Sequence, residues 1–92
     1  GREKKLQQFA TENDIIIFTA GKKSSNGKVL FHISHDVNPR TYFAETKEDI
    51  DWNWFEGVVT VGITGSTSTP HWVMKDVKRL IEEKFGIEQY SF

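Results

Sequence analysis

Ile15-Ile16-Ile17-Phe18-Thr19 constrains this chain more than any other segment, being an unbroken run of β-branched and aromatic side chains. Residues of these types favour extended backbone, and the run shows no apolar/polar alternation, so both of its faces must be covered. Asn13–Asp14 bound it on one side and Gly21 on the other. A short strand buried on both faces belongs in a parallel sheet with helices above and below. The run therefore predicts an α/β fold.

The flanking patterns extend this reading. Residues 3–11 place Leu6, Phe9 and Ala10 at i, i+3 and i+4, which predicts an amphipathic helix. From Ser25 onward, Val29, Leu30, Ile33 and Val37 form the expected core face of a second helix, stopped at Asn38–Pro39. Thr41–Ala44 reads as a second strand. Thr46 with Asp49 resembles a capping box for a short turn, and Asp51 can cap another before Trp52, Trp54 and Phe55. Val58–Ile63 is expected as a third strand. A last helix is expected with Thr69 as N-cap, Pro70 at its first position, and Val73, Val77, Leu80 and Ile81 toward the core. Lys84 suits its C-terminal end and Gly86 its stop. Residues 87–92 are a short fourth strand or a packed tail.

This order predicts a single domain over residues 1–92, a small three-layer α/β/α sandwich on a parallel sheet of three to four strands. Right-handed crossovers give the core order 2-1-3, with a switch point between strands one and three. The loops at 20–27 and 62–70 then leave the C-terminal ends of adjacent strands.

Composition narrows the function. Ninety-two residues with 37% hydrophobic and 27% charged side chains support one modest core. Twelve Lys and Arg against thirteen Asp and Glu leave a net charge of −1, which argues against nucleic-acid or anionic-membrane partners. The sequence has no cysteine, excluding a disulfide, a Cys-held zinc or iron–sulfur centre and a Cys nucleophile within this chain. No apolar run approaches the ~18 residues of a membrane span, and no signal peptide is visible; a cytoplasmic location is expected. The chain starts at Gly1, and its one methionine is Met74. These features suggest a piece excised from a longer protein, with Gly1 as a candidate cloning scar.

The two loops carry the chemistry. Each opens a helix, where unpaired N–H groups and the positive end of the helix dipole attract anions. Ser24, Ser25 and Asn26 add donors on the first loop, and Thr64, Ser66, Thr67, Ser68 and Thr69 on the second. Gly21, Gly27, Gly62 and Gly65 permit tight turns and close approach, while Lys22 and Lys23 add positive charge. Uncharged donors around two adjacent helix starts suit a phosphate or diphosphate. The plainer alternative is that these residues are ordinary caps and turns.

Other features point elsewhere less well. Gly21-Lys22-Lys23-Ser24 lacks the earlier glycine of a nucleotide-phosphate loop, since Ile16 holds that position. His32 and His35 have metal-compatible spacing but no evident third ligand. His71 reads as a solvated side chain, and Glu45, Glu48, Asp49 and Asp51 as a solvated, capping face. Trp52, Trp54, Phe55 and Trp72 are expected in the core or on a domain-facing patch, because no basic cluster is interleaved with them.

Read in order, the blocks at 21–30, 37–42, 54–55 and 61–72 resemble the last third of the LytB-type reductases. The signature is Gly-Lys-Lys-Ser-Ser-Asn-Gly at Gly21–Gly27 and Gly-Ser-Thr-Ser-Thr-Pro at Gly65–Pro70. The resemblance spans about residues 2–84. It implies a domain of an iron–sulfur oxidoreductase that converts 4-hydroxy-3-methylbut-2-enyl diphosphate to isopentenyl and dimethylallyl diphosphates in isoprenoid biosynthesis by the methylerythritol phosphate route. In that family three similar domains surround a 4Fe-4S cluster, with one cysteine from each. The resemblance assigns Ser24, Ser25, Asn26 and Ser68 to the substrate diphosphate, supported by Gly21, Gly27, Thr64, Thr67 and Thr69. The expected partners are the allylic diphosphate and the other two domains. The family's third cysteine lies a few residues before the position matching Arg2, so this piece alone is expected to hold no metal or cluster, to carry no catalytic residue and to be inactive. Ser66 stands where the family is expected to carry glycine or a small apolar residue. The alternative is a stand-alone, non-catalytic phosphate-binding or interaction module.

Overall fold

The computed structural model describes residues 1–66, 69–86 and 88–91. Its elements run α1 (Arg2–Glu12), β1 (Ile15–Thr19), α2 (Ser25–Val37), β2 (Thr41–Ala44), two 3-10 turns (Lys47–Asp49 and Trp52–Phe55), β3 (Thr60–Gly65), α3 (His71–Phe85) and β4 (Glu88–Ser91). The four strands form one sheet in the order β2-β1-β3-β4, and every pairing is parallel. This is the expected α/β architecture, with the fourth strand realised.

The apolar run sits at the centre because its side chains feed two cores. Ile15 and Ile17 point to one face, where they meet Val61, Ile63, Val77 and Ile81. Phe18 points to the other, against Leu6 and Leu30, and Ile16 meets Phe9 and Ala10 on α1. The period of two thus divides one segment between layers, as a strand covered on both faces requires. Ile15, Ile16, Ile17 and Phe18 are fully buried, each contributing about 1.5–3 kcal/mol of transfer free energy. Tyr42 stacks on Trp54 with ring centroids 4.4 Å apart, and Phe55 stacks on Phe85. Trp52, Trp54 and Phe55 therefore pack inward, whereas Trp72 is exposed.

Three local expectations are corrected. The second helix turns Gly27, Leu30 and Ser34 inward and leaves Val29 and Val37 exposed. The reason is close packing. Gly27 lies against Ala20, where a Cβ would come within 2.8 Å of the Ala20 methyl, and Ser34 is satisfied by the Thr41 hydroxyl at 2.9 Å. β3 covers Thr60–Gly65 and not Val58–Ile63, because Val58 N–H is taken by the Phe55 carbonyl at 3.1 Å and Val59 N–H by the Asp14 carboxylate at 2.8 Å. Its end shifts too, since Thr64 and Gly65 pair with Phe18 and Thr19. In the last helix Pro70 is the N-cap, and Leu80 is half-buried while Val73, Val77 and Ile81 are buried.

The helix stop at Gly86 is as expected. Gly86 adopts φ 64°, a left-handed conformation in which glycine avoids a Cβ penalty, and its N–H reaches the Glu82 carbonyl at 3.0 Å. Thr46 and Asp49 form the expected capping box, and Asp51 accepts from the Asn53 N–H at 2.9 Å.

Candidate functional site

β1 and β3 are adjacent and parallel, and α2 and α3 follow them, so both helix starts lie at the same edge of the sheet. In an open parallel sheet this switch point is where a ligand crevice forms.

The first loop is held by short-range bonds. Ser24 N–H donates to the Gly21 carbonyl at 3.0 Å, closing a turn, and Lys22 N–H donates to the Glu45 carboxylate at 3.0 Å. Ser24 is the N-cap of α2, its hydroxyl oxygen accepting from Gly27 N–H at 3.0 Å. That bond uses a lone pair and leaves the hydroxyl proton available to an anion. Ser25 and Asn26 occupy the first turn, exposed, and their side chains have no hydrogen-bond partner among the described residues. First-turn N–H groups lack intrahelical acceptors and lie at the positive end of the dipole. Lys22 and Lys23 are exposed beside them.

The second loop is tied inward. The Thr19 carbonyl accepts from Ser66 N–H at 3.2 Å and from the Thr69 hydroxyl at 2.8 Å. The Thr19 hydroxyl donates to the Thr64 carbonyl at 2.9 Å. Gly65 is squeezed against this strand, where a Cβ would lie 2.5 Å from the Thr19 carbonyl oxygen. Ser66, the departure from the resembled pattern, is buried and its hydroxyl is 3.2 Å from that of Thr69. Thr69 was expected to cap α3 but bonds to Thr19 instead. The helix starts at His71 without a side-chain cap, as Pro70 brings no N–H and no capping group. Thr67 and Ser68, both named from the sequence, lie outside the described residues.

The structure thus brings Ser24, Ser25, Asn26, Gly21 and Gly27 to one side of the edge, and Thr64 and Thr69 to the other. Thr19, which joins the two sides, was not singled out from the sequence; its place as the polar end of an apolar run was the available signal. Glu45 was read as part of a solvated face, yet it anchors the first loop. The histidines follow expectation in part: His32 and His35 pack against the Phe31 ring, with centroids 5.4 and 5.7 Å away. No group of three His, Asp or Glu side chains with metal-binding geometry occurs among the described residues. Cluster irons are held by thiolates, and a chain without cysteine supplies none, so its residues do not fit an iron–sulfur ligand set.

No helix among the described residues is long and apolar enough to cross a membrane.

Comparison with known proteins places these features in context. The family model described as LytB protein matches residues 1–82. A 4-hydroxy-3-methylbut-2-enyl diphosphate reductase of Prosthecochloris aestuarii is 51% identical over 89 residues, covering 92% of this chain and 27% of the relative. One from Chlorobium luteolum is 52% identical over 86 residues, covering 88% of this chain and 27% of the relative. A solved (E)-4-hydroxy-3-methyl-but-2-enyl diphosphate reductase, described as the terminal enzyme of the non-mevalonate pathway, superimposes with a TM-score of 0.84 and 41% identity, over 89% of this chain and 29% of that one. The structure of a Plasmodium falciparum E-1-hydroxy-2-methyl-but-2-enyl-4-diphosphate reductase gives 0.87 and 25% identity, over 99% and 29%. The chain therefore spans a little over a quarter of the relatives' length.

Proposed function

The chain belongs to the LytB family, and on that premise we propose that it is the substrate-diphosphate-binding domain of a 4-hydroxy-3-methylbut-2-enyl diphosphate reductase. In this reading it corresponds to the C-terminal third of the enzyme. Ser24, Ser25, Asn26 and Ser68 donate to the diphosphate, and the first-turn N–H groups of α2 add the helix dipole. The observation that carries the proposal is the exposed, unpartnered pair Ser25 and Asn26 at a helix start on the switch-point edge. Thr19 positions the opposite loop through its carbonyl. The reductive dehydroxylation draws on an iron–sulfur cluster whose thiolates lie in other parts of the enzyme. The work of this chain is to bind and orient the charged end of the substrate, and alone it reduces nothing.

The test is kinetic and uses the full-length reductase. Ser25→Ala and Asn26→Ala should each lower kcat/KM by about tenfold, since a charge-assisted hydrogen bond is worth about 1.5–3 kcal/mol. Wild-type kinetics in both variants would remove these residues from the diphosphate site.

A further inference from the structure

An open cleft of about 300 Å³ lies between α2 and β2. Lys28, Phe31 and His32 line it from one stripe of the helix, at i, i+3 and i+4. Phe43 closes it from β2, and Lys22 from the first loop. No carboxylate lines it.

Its wall is aromatic and fixed. Phe31 and Phe43 are half-buried and meet edge to face, with centroids 5.5 Å apart and planes at 78°. The buried Phe18 ring lies against both, with centroids 6.2 and 6.4 Å away. Two perpendicular rings make a corner, where a third flat ring can stack on one and meet the edge of the other. The mouth is cationic. Lys22 and Lys28 are exposed, and neither makes an ion pair among the described residues. The Glu45 carboxylate accepts from the Lys22 backbone N–H at 3.0 Å, and Asp36, one turn beyond His32 on α2, stays outside the lining. His32 holds its ring against Phe31, with centroids 5.4 Å apart, and adds an imidazole N–H donor.

These features select one kind of guest. A neutral hydrocarbon leaves both ammonium groups unanswered, a bare inorganic anion leaves the rings facing water, and an organic cation is repelled. We infer that this cleft binds a small aromatic anion, one ring carrying a carboxylate or a phosphate, with the ring in the Phe31–Phe43 corner and the charge between Lys22 and Lys28. The wall is already packed in the free chain, so binding orders little beyond the two lysine side chains. Lys22 joins the cleft to the first loop, but Ser24, Ser25 and Asn26, the diphosphate ligands proposed on that loop, do not line it.

Phenylacetate and phenyl phosphate are the probes, with benzyl alcohol as the uncharged ring, and acetate and inorganic phosphate as the charges without one. In an amide NMR titration of the 92-residue chain, at least one aromatic anion should give saturable shifts at Lys22, Lys28, Phe31, His32 and Phe43 with a Kd of about 1 mM. The tighter of the two identifies the head group. Each control should bind there about tenfold more weakly or not at all. Lys28→Glu changes an exposed side chain and should weaken binding by about fivefold; Phe43→Leu, which keeps apolar bulk, should do so by a similar factor. Ser25→Ala combined with Asn26→Ala should leave the affinity within about twofold, which separates this cleft from the diphosphate rim. No saturation by either probe at about 50 mM, equal binding of a control, unchanged affinity in Lys28→Glu, or loss of binding in the double variant would overturn the assignment.

Discussion

The two helix starts on the switch-point edge face the same task and solve it differently. α2 begins with a side-chain cap, Ser24, and a turn closed within its own loop. α3 begins at Pro70 with no side-chain cap, and its loop hydroxyl, Thr69, is bonded across to Thr19. The first loop therefore keeps its outer donors, Ser25 and Asn26, for something outside the chain. The second commits described donors to fixing its own path beside β1. One edge thus combines a donor-bearing side with a scaffolded side, a division of labour that residue types alone conceal.

Breaking the scaffold should have the largest effect. Gly65→Val places a branched side chain against the Thr19 carbonyl and should destabilise the chain by about 1–3 kcal/mol or more, read as a lower urea midpoint. Removing the cap comes next: Ser24→Ala should cost about 1 kcal/mol, largely restored by Ser24→Asp. Thr69→Val should cost about as much or slightly less, since Ser66 N–H still reaches the Thr19 carbonyl. If Thr69→Val proved neutral while Ser24→Asp failed to rescue, the contrast between the two loops would be wrong. Ser25→Ala should change stability by no more than about 0.5 kcal/mol while weakening pyrophosphate binding.

The opposite edge sharpens the contrast through pH. Asp14 accepts from the Val59 and Thr60 N–H groups, and this lowers its pKa in the folded chain. A depressed folded pKa favours the native state above the ordinary aspartate value, and that contribution fades as pH falls through the lower, folded value. Asp14→Asn should therefore be less stable than wild type at neutral pH, with the gap narrowing below about pH 4. A gap independent of pH would remove the carboxylate from the β3 start.

Much of this was legible in the sequence because local and global signals agree. Ile15–Thr19 has one physical solution, and Asn38–Pro39 and Gly86 punctuate helices by rules that need no tertiary context. The failures share a cause. The inward face of α2 is built on Gly27 and Ser34, residues no hydrophobic pattern selects, because close packing and a hydroxyl pair take the place of bulk. The start of β3 was displaced in part by Asp14, which lies 45 residues away from Val59 in sequence. Thr69 carries the right chemistry for a cap, but a carbonyl on the neighbouring strand claims its hydroxyl. In the site, the first loop was readable because its bonds are local; the role of Thr19 was not, because it exists only once β1 and β3 pair.

The most direct test of the central claim is an amide NMR titration of this chain with pyrophosphate. The account predicts saturable shifts at residues 21–27 and 64–70, strongest in the first turn of α2 and lost in Ser25→Ala combined with Asn26→Ala. Shifts elsewhere, or none at millimolar pyrophosphate, would contradict a diphosphate rim preformed in this domain.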